Sequence, residues 1–288
     1  MSTRSAGTAT ATGPSQADKG RRFRELHQRA GAFVIPNPWD VGSARLLAGL
    51  GFEALASTSA GFAFTLGKRD NEVGRQQMMA HVAELVAASE LPVSADLENG
   101  FGDDPGTVAE TIRQAAAAGL VGASIEDATA RSGDPVYALD VAVERIRAAA
   151  EVVRGLPFAF TLTARAENFL VGRKDLADTI RRLQAYQEAG ADVLYAPGLA
   201  TREDIGAVVG AVDRPVNVIM GLQGVHLSVA DLAQIGVKRI SVGSSFSRAA
   251  LGAFLRAARE VKDKGTFTYS DEAVSFNAIN DLFKPAGS

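Results

Sequence analysis

Cysteine is absent from all 288 residues of the chain, and histidine occurs only as His27, His81 and His226. The absence of cysteine excludes disulfides, thiolate metal sites and a cysteine nucleophile or general acid. The three histidines are far apart and lack the spacing of a ligand cluster, so we expect no zinc site. Carboxylates, arginine, hydroxyl groups and the backbone are left to carry any chemistry.

The chain also lacks long apolar runs and any large excess of charge. No apolar run approaches the roughly 20 residues that cross a bilayer. The formal net charge of −3 argues against nucleic acid or an anionic membrane as the main partner. With 47% hydrophobic and 22% charged residues, the chain can bury a substantial core. We therefore expect a cytoplasmic protein that binds neither nucleic acid nor a membrane.

The N-terminal segment is rich in Ser, Thr, Ala and Gly and has no apolar core segment. This composition predicts a disordered tail over residues 1–18 and argues against a secretory signal. A transit peptide is the alternative, because Arg4 precedes the first acid, Asp18. The rest is predicted to form a catalytic barrel over residues 19–264 and a helical extension over residues 265–288.

From residue 32 onward, short apolar segments alternate with amphipathic segments of helix length. The predicted strands are 33–36, 54–58, 93–96, 123–126, 159–164, 193–196, 216–219 and 240–243. The predicted helices between them include 108–118, 139–153, 176–189 and 230–235. This alternation indicates βαβ units and a parallel sheet.

The residues that precede the strands form a second pattern. Alternate strands follow a glycine suited to a helix C-cap, and three of the others follow a proline that stops a helix. The glycines are Gly51, Gly119, Gly190 and Gly236, and the prolines are Pro92, Pro157 and Pro215. Eight units with alternating entries predict a closed (β/α)8 TIM barrel. The alternative is an open doubly wound sheet, which usually has a Gly-x-Gly-x-x-Gly turn after its first strand, and this chain has Pro-Asn-Pro-Trp-Asp there.

Acidic residues gather where these strands end. Asp96 and Glu98 are two apart on an extended segment, so both project to one side, where a hard cation can sit between them. Glu126 and Arg165 end the next two strands. Because active sites of such barrels lie at the C-terminal strand ends, this rim is the candidate site. The simpler interpretation of the acid pair is a solvated strand end, and Asp40 is equally suited to cap a helix.

Several motifs occur in order at the predicted strand ends. They are Asn-Pro-Trp-Asp at 37–40, Thr-Ser-Ala-Gly at 58–61, Gly-Lys-Arg-Asp-Asn-Glu at 67–72, Asp-Leu-Glu-Asn-Gly-Phe-Gly at 96–102, Ile-Glu-Asp at 125–127 and Ala-Arg-Ala-Glu at 164–167. Together they resemble the isocitrate lyase and phosphoenolpyruvate mutase superfamily, from Pro36 to the end of the eighth strand. In the family's Asp-x-Asp-x-Gly-Phe-Gly pattern, Glu98 replaces the second aspartate.

The resemblance implies a Mg2+ site, with Mn2+ as an alternative. Asp96 would bind the ion directly, while Asp70, Glu98 and Glu126 would hold its coordinated waters. An acid-rich set without histidine suits magnesium, which prefers oxygen ligands and keeps several waters. The resemblance also implies catalytic roles for Arg165, Asp70 and Glu126.

The substrates implied by the resemblance are small 2-oxo acids, or compounds that cleave to them. Arg165 would pair with a carboxylate or phosphonate, and residues 58–60 would stabilise a developing enolate. The implied substrate-binding residues are Trp39, Thr58, Ser59, Ala60, Gly61, Asp96 and Arg165. Trp39 and Tyr195 are equally suited to packing at the rim, and Glu167 to orienting Arg165.

One departure from the family separates this chain from its isocitrate-cleaving members. They carry Lys-Lys/Arg-Cys-Gly-His after the fourth strand, and residues 127–135 here contain neither Cys nor His. We therefore expect a Mg2+-dependent lyase that acts on a small 2-oxo acid or related carboxylate through an enolate, by C–C cleavage or decarboxylation. The alternatives are C–P chemistry of the mutase or phosphonopyruvate hydrolase type, and a non-catalytic 2-oxo acid binder.

The C-terminal segments 245–264 and 270–283 have the pattern of amphipathic helices. The second has several large apolar residues that would be unfavourable in water. They are Val274, Phe276, Ile279, Leu282 and Phe283. Because family relatives exchange their eighth helix between subunits, the resemblance implies a helix-swapped dimer that assembles into a homotetramer.

Overall fold

A computed structural model of the protein describes residues 13–284, which form a ring of eight parallel strands surrounded by helices. The strands are β1 (Phe33–Ile35), β2 (Leu55–Ala56), β3 (Val93–Asp96), β4 (Gly122–Glu126), β5 (Thr161–Arg165), β6 (Val193–Tyr195), β7 (Val216–Ile219) and β8 (Arg239–Ser241). β1 pairs with β8, and the remaining strands pair in sequence order from β8 back to β2. The Ala56 N–H donates to the Pro36 carbonyl over 3.1 Å and joins β2 to the end of β1. The prediction of a (β/α)8 barrel is confirmed, and the open sheet is excluded.

Eleven α-helices lie in residues 13–284, most of them between the strands. They are α1 (Gln16–Gln28), α2 (Val41–Gly49), α3 (Ser59–Thr65), α4 (Arg75–Ala88), α5 (Pro105–Ala117), α6 (Leu139–Arg154), α7 (Leu176–Ala189), α8 (Arg202–Ala211), α9 (Val229–Ile235), α10 (Ser245–Lys264) and α11 (Phe276–Leu282). The main core fills the space between strands and helices. No helix in this part of the chain has the length and apolarity to cross a bilayer.

The glycines before alternate strands have the left-handed conformation that the sequence predicts for them. Gly51, Gly119, Gly190 and Gly236 have φ values of +87°, +95°, +110° and +100°. Other residues rarely adopt this region without strain. A Cβ atom at Gly190 would also lie 2.8 Å from Cβ of Ala150, so glycine allows the close approach of α7 and α6.

The N-terminal helix α1 closes the bottom of the barrel. Ser15 caps it in a capping box: the Ser15 hydroxyl oxygen accepts from the Asp18 N–H, and the Asp18 carboxylate accepts from the Ser15 N–H. Phe23 is buried with Phe33 in a small core cluster. Residues 16–18 are therefore helical, which corrects the boundary of the predicted disordered tail. Residues 1–12 of that prediction lie outside the described residues.

The C-terminal segment leaves large apolar side chains exposed. Ser247 is the only buried residue of α10, and Phe254 is 66% exposed. The single helix predicted over 270–283 is interrupted, because a 3-10 turn (Thr268–Glu272) is followed by extended Ala273, and Ser275 caps a new helix, α11. Exchange of these helices between subunits remains a prediction.

Candidate active site

A cavity of about 980 Å³ opens at the C-terminal ends of the strands. Most of the residues predicted for the site line it, namely Thr58, Ser59, Ala60, Asp70, Asp96, Glu98, Glu126 and Arg165. The predicted substrate contacts Trp39 and Gly61 are not among its lining residues. The barrel therefore brings the acids of β3 and β4 and the arginine of β5 to one chamber.

Arg165 lies at the centre of the acidic groups. Its Nη1, Nη2 and Nε atoms contact Asp96 Oδ1 at 2.9 Å, Glu126 Oε2 at 3.0 Å and Glu167 Oε1 at 2.8 Å. Burial alone would lower the pKa of Arg165, but the three carboxylates raise it well above its usual value. The role in orienting Arg165 that the sequence analysis considered for Glu167 agrees with this contact.

Glu98 occupies the least compensated position in the cluster. Its backbone has a φ of +49°, which is uncommon for a residue other than glycine. Among the described residues, its buried Oε1 atom has no hydrogen-bond partner. Burial and the negative charges of Asp96 and Asp70 raise the pKa of Glu98 to about 8. A second negative charge beside Asp96 is therefore unfavourable unless a cation compensates it.

Asp70 reaches the same region from the loop after α3. It is solvent-exposed at the cavity mouth. The surrounding protein and the charge of Asp96 raise the pKa of Asp70, while hydrogen bonds to Ser59 and Asn71 partly offset this effect. The negative charge of Asp96 beside Asp70 marks a place where a positive ligand is stabilised.

This chemistry fits a divalent cation held largely through water. Within residues 13–284, no group of three or more His, Cys, Asp or Glu side chains is close enough to hold an ion directly. The orphaned Glu98 oxygen and the repulsion among Asp70, Asp96 and Glu98 nevertheless favour a hydrated cation between them. Magnesium commonly binds in this way, through one or two carboxylates and several waters.

The segment after β2 supplies hydroxyl groups next to Asp96. Thr58 caps α3, and its Oγ1 accepts from the Gly61 N–H over 3.2 Å. The Ser59 hydroxyl donates to Asp96 Oδ2 over 3.1 Å, and Ser57 Oγ accepts from the Asp96 N–H over 2.9 Å. Asp96 is therefore oriented by β2 and its following helix as well as by Arg165.

Packing explains the positions of Trp39 and Gly61. A Cβ atom at Gly61 would lie 3.0 Å from Cβ of Trp39 and 2.5 Å from Cγ2 of Thr58. Glycine thus lets α3 approach the turn after β1, and Trp39 forms part of that contact. The neighbouring Asp40 caps α2 by accepting from the Ser43 N–H over 2.6 Å, which agrees with the capping alternative.

A buried network supports the site from behind. Asp127 Oδ1 accepts from the Glu167 N–H over 2.8 Å, and its Oδ2 accepts from Arg182 Nη1 over 3.0 Å and from the Tyr186 hydroxyl over 2.6 Å. Asp127 thus links α7 to the segment that carries Glu167, and Glu167 contacts Arg165. Sequence analysis did not recognise Arg182 and Tyr186, since their only signal is polar character on the buried face of α7.

The loop between β4 and α6 folds back on itself. Ala128 and Val136 form an isolated antiparallel bridge, and the Thr129 N–H donates to the Pro135 carbonyl over 3.0 Å. Arg131 at its tip lines the cavity and contacts Asp103 at 2.8 Å. The short, cysteine-free loop is therefore part of the cavity wall.

The opposite wall contains polar residues that the sequence analysis missed. Asn217 of β7 and Arg239 and Ser241 of β8 line the cavity. Arg239 precedes the predicted eighth strand, so it was not assigned an inward position. The sequence did contain one signal: residues two apart on a strand share a face, so Arg239 faces the same side of β8 as Ser241.

Comparisons with known proteins agree with this geometry. The family model described as phosphoenolpyruvate phosphomutase matches residues 23–262. A crystal structure of a protein from Burkholderia cenocepacia J2315, provisionally assigned as a lyase or mutase, is 63% identical with a TM-score of 0.92, covering 94% of this chain and 97% of its own.

Two further relatives have named activities. Oxaloacetate decarboxylase of Paraburkholderia xenovorans (strain LB400) is 29% identical over 234 residues, which are 78% of this chain and 75% of the relative. The structure of oxaloacetate acetylhydrolase in complex with the product oxalate is 26% identical with a TM-score of 0.82, covering 94% of this chain and 95% of its own. The family match spans most of the chain, and this protein therefore belongs to the phosphoenolpyruvate mutase family, within the isocitrate lyase and phosphoenolpyruvate mutase superfamily.

Proposed function

We propose that the protein is a divalent-metal-dependent lyase that cleaves or decarboxylates a small 2-oxo acid or related carboxylate through an enolate. The observation that carries this proposal is Arg165 held among Asp96, Glu126 and Glu167, next to the uncompensated Glu98. Relatives named as oxaloacetate decarboxylase and oxaloacetate acetylhydrolase support a small carboxylate as substrate.

Arg165 retains capacity to bind substrate despite its three contacts. A guanidinium carries five N–H groups, and in Arg165 two of them donate to Glu167 and Asp96 while Nη2 forms an ion pair with Glu126, so N–H groups remain for a substrate. The three contacts also hold its plane in one orientation, which favours paired hydrogen bonds to a carboxylate. Arg165 therefore binds and orients the substrate in this proposal.

Asp96 would hold the metal, most simply Mg2+, with Asp70, Glu98 and Glu126 on its water shell. When bound, a divalent cation polarises a 2-oxo group and stabilises enolate charge. The Thr58 hydroxyl and the backbone N–H groups of Ser59 and Ala60, in the first turn of α3, line the cavity near Asp96 and would supply donors for that charge.

Calorimetric titration with oxalate, an enolate mimic, tests this proposal. Wild-type protein is expected to bind oxalate with Mg2+ and to lose binding with EDTA. Asp96→Ala is expected to weaken binding by roughly tenfold to a hundredfold, because charged contacts contribute about 1.5–3 kcal/mol each. Arg165→Lys is expected to do the same, since it keeps the charge but loses the fork.

Asp40→Ala is the matched control, because Asp40 lies on the same rim but caps α2. It is expected to keep wild-type oxalate affinity. Metal-independent binding, or unchanged affinity in Asp96→Ala, would contradict the proposal. Metal-dependent binding would justify turnover assays with oxaloacetate and substituted malates.

Two alternatives have specific support. The description of the matching family model favours C–P chemistry, and turnover of phosphonopyruvate in place of 2-oxo dicarboxylates would support it. The loop at residues 127–138, which has no cysteine or histidine, favours a non-catalytic binder. Oxalate binding without turnover of any candidate substrate would support that function.

A further inference from the structure

Arg239 is a buried cation on the far wall of the cavity and has no counter-ion among residues 13–284. It is 5% exposed and lines the cavity. Its Nε donates to Asn217 Oδ1 over 2.9 Å, its Nη2 donates to Thr163 Oγ1 over 2.9 Å, and its Nη1 lies 3.5 Å from His27 Nε2. All three partners are neutral, since burial and the nearby Arg239 charge lower the pKa of His27 to about 3.

The other buried arginines of the described chain are compensated differently. Arg165 contacts three carboxylates and Arg182 contacts two, whereas Arg145 donates to three backbone carbonyls. Only neutral side chains contact Arg239, although an isolated buried charge is costly. Burial lowers the pKa of Arg239 to about 10, so it stays protonated at neutral pH. Its charge is thus available to an anion that enters the cavity.

The barrel interior around Arg239 is unusually polar. Interiors of such barrels are normally filled by layers of large branched apolar side chains. Here the cavity reaches down to Ser94, Ser124 and Asn217, and Thr163 is buried beside them. Small polar side chains leave room where a barrel core would otherwise be filled.

Arg239 and Arg165 belong to one row of paired residues that runs across the neighbouring strands β5 to β8. Arg165 pairs with Tyr195, Tyr195 with Asn217, and Asn217 with Arg239. The Tyr195 ring lies 5.1 Å from the Arg165 guanidinium carbon and separates the two cations. One chamber therefore contains an arginine within the acidic cluster and a second arginine on the far wall.

We propose that Arg239 is a specificity-determining residue that binds the distal carboxylate of a 2-oxo dicarboxylate whose 2-oxo acid end lies at Asp96 and Arg165. This inference rests on the proposed function for the position of the 2-oxo acid end. A guanidinium carries five N–H groups, and three of them face neutral partners, so two remain for the distal carboxylate. Monocarboxylic 2-oxo acids leave this cation unpaired and bind less tightly.

Direct calorimetric titration with matched ligand pairs tests the proposal. 2-Oxoglutarate and 2-oxopentanoate differ by a terminal carboxylate in place of a methyl group, and oxaloacetate and 2-oxobutanoate form a shorter pair. With Mg2+, wild-type protein is expected to bind the diacid of at least one pair roughly tenfold to a hundredfold more tightly than its partner. Arg239→Gln is expected to abolish that preference while oxalate affinity stays within about twofold of wild type.

Arg239→Lys is a second variant that keeps the positive charge, and it can be tested if Arg239→Gln fails to fold. It is expected to retain part of the preference, since a lysine lacks the planar fork. Equal wild-type affinity for both members of each pair would overturn the proposal without any variant. A preference that persists in Arg239→Gln, or that is as strong in Arg239→Lys as in wild type, would also overturn it. Failure of oxalate to bind would reject the proposed function alone, because the paired titrations do not require oxalate.

Discussion

Arg165 illustrates how a residue and its surroundings determine each other's charge. Three carboxylates within 3.0 Å would repel one another strongly without the guanidinium between them. Removing one partner of such a buried group leaves uncompensated charge, which costs more than the ion pair contributes. Glu98 lies at the edge of this arrangement, and no described side chain forms an ion pair with it. A cation bound there would stabilise the charged form of Glu98.

His27 provides a test of burial at the scale of one side chain. Its Nδ1 lies 2.8 Å from the Phe23 carbonyl, and burial and the charge of Arg239 lower its pKa to about 3. In the unfolded chain His27 takes up a proton near pH 6.5, while in the native state it does not. Through His27, the free energy of unfolding is therefore highest above pH 6.5 and decreases as the pH falls from 6.5 toward 3.

We expect His27→Gln to reduce this acid sensitivity. Between pH 7.5 and pH 5, wild-type protein should lose about 2 kcal/mol of unfolding free energy through His27 alone, a loss that the variant lacks. Urea unfolding of both proteins at the two pH values measures the difference. Parallel changes in the two proteins would contradict the assigned neutral state of His27.

At the scale of elements, Asp127 joins α7 to the site. Both of its carboxylate oxygens act only as acceptors, from the Glu167 N–H on one side and from Arg182 and Tyr186 on the other. We expect Asp127→Asn to destabilise the protein by about 3 kcal/mol, because its amide N–H2 group would face a donor. Denaturant unfolding measures this effect.

Asp178→Asn is the control, because Asp178 also contacts Arg182 at 2.9 Å but is more exposed. Its cost is expected to be about 1 kcal/mol, because solvent screens the charge of Asp178 more than that of the fully buried Asp127. Equal costs for the two substitutions would show that Asp127 has no special role in joining α7 to the segment of Glu167.

At the scale of the whole molecule, the C-terminal helices leave most of their large apolar side chains exposed within the described chain. Phe254 and Phe276 are 66% and 82% exposed, and Phe246, Leu251 and Leu255 on α10 are also exposed. A surface with this much apolar area generally marks an interface. The proposed occupant is a second copy of the chain, in the helix-swapped homotetramer that the family resemblance implies.

Light scattering at micromolar concentration tests this assembly. Wild-type protein is expected to have the mass of a tetramer, and Phe254→Glu is expected to yield smaller species, because a buried charge opposes association. Leu50→Glu is the matched control, since Leu50 is 71% exposed but lies after α2, away from the C-terminal helices. A stable wild-type monomer would refute the assembly.

Much of this architecture can be predicted from patterns among residues that are close in sequence. Alternating apolar and amphipathic segments, glycines with positive φ before alternate strands and acids at strand ends all depend on residues near one another in sequence. They therefore predicted the closed barrel and the rim that carries the site, where most of the predicted site residues line the cavity. The order of motifs identified the family for the same reason, because each motif lies at a single strand end.

Only the tertiary structure decided which side chains meet. The three contacts of Arg165, the packing role of Trp39 and Gly61, and the support of Asp127 by α7 depend on strand register and helix approach. Arg239 is the clearest case, because Asn217, Thr163 and His27 contact it from positions distant in sequence. Sequence patterns determine which face of a strand a residue occupies, but the groups opposite that face are determined by how the eight strands close into a ring.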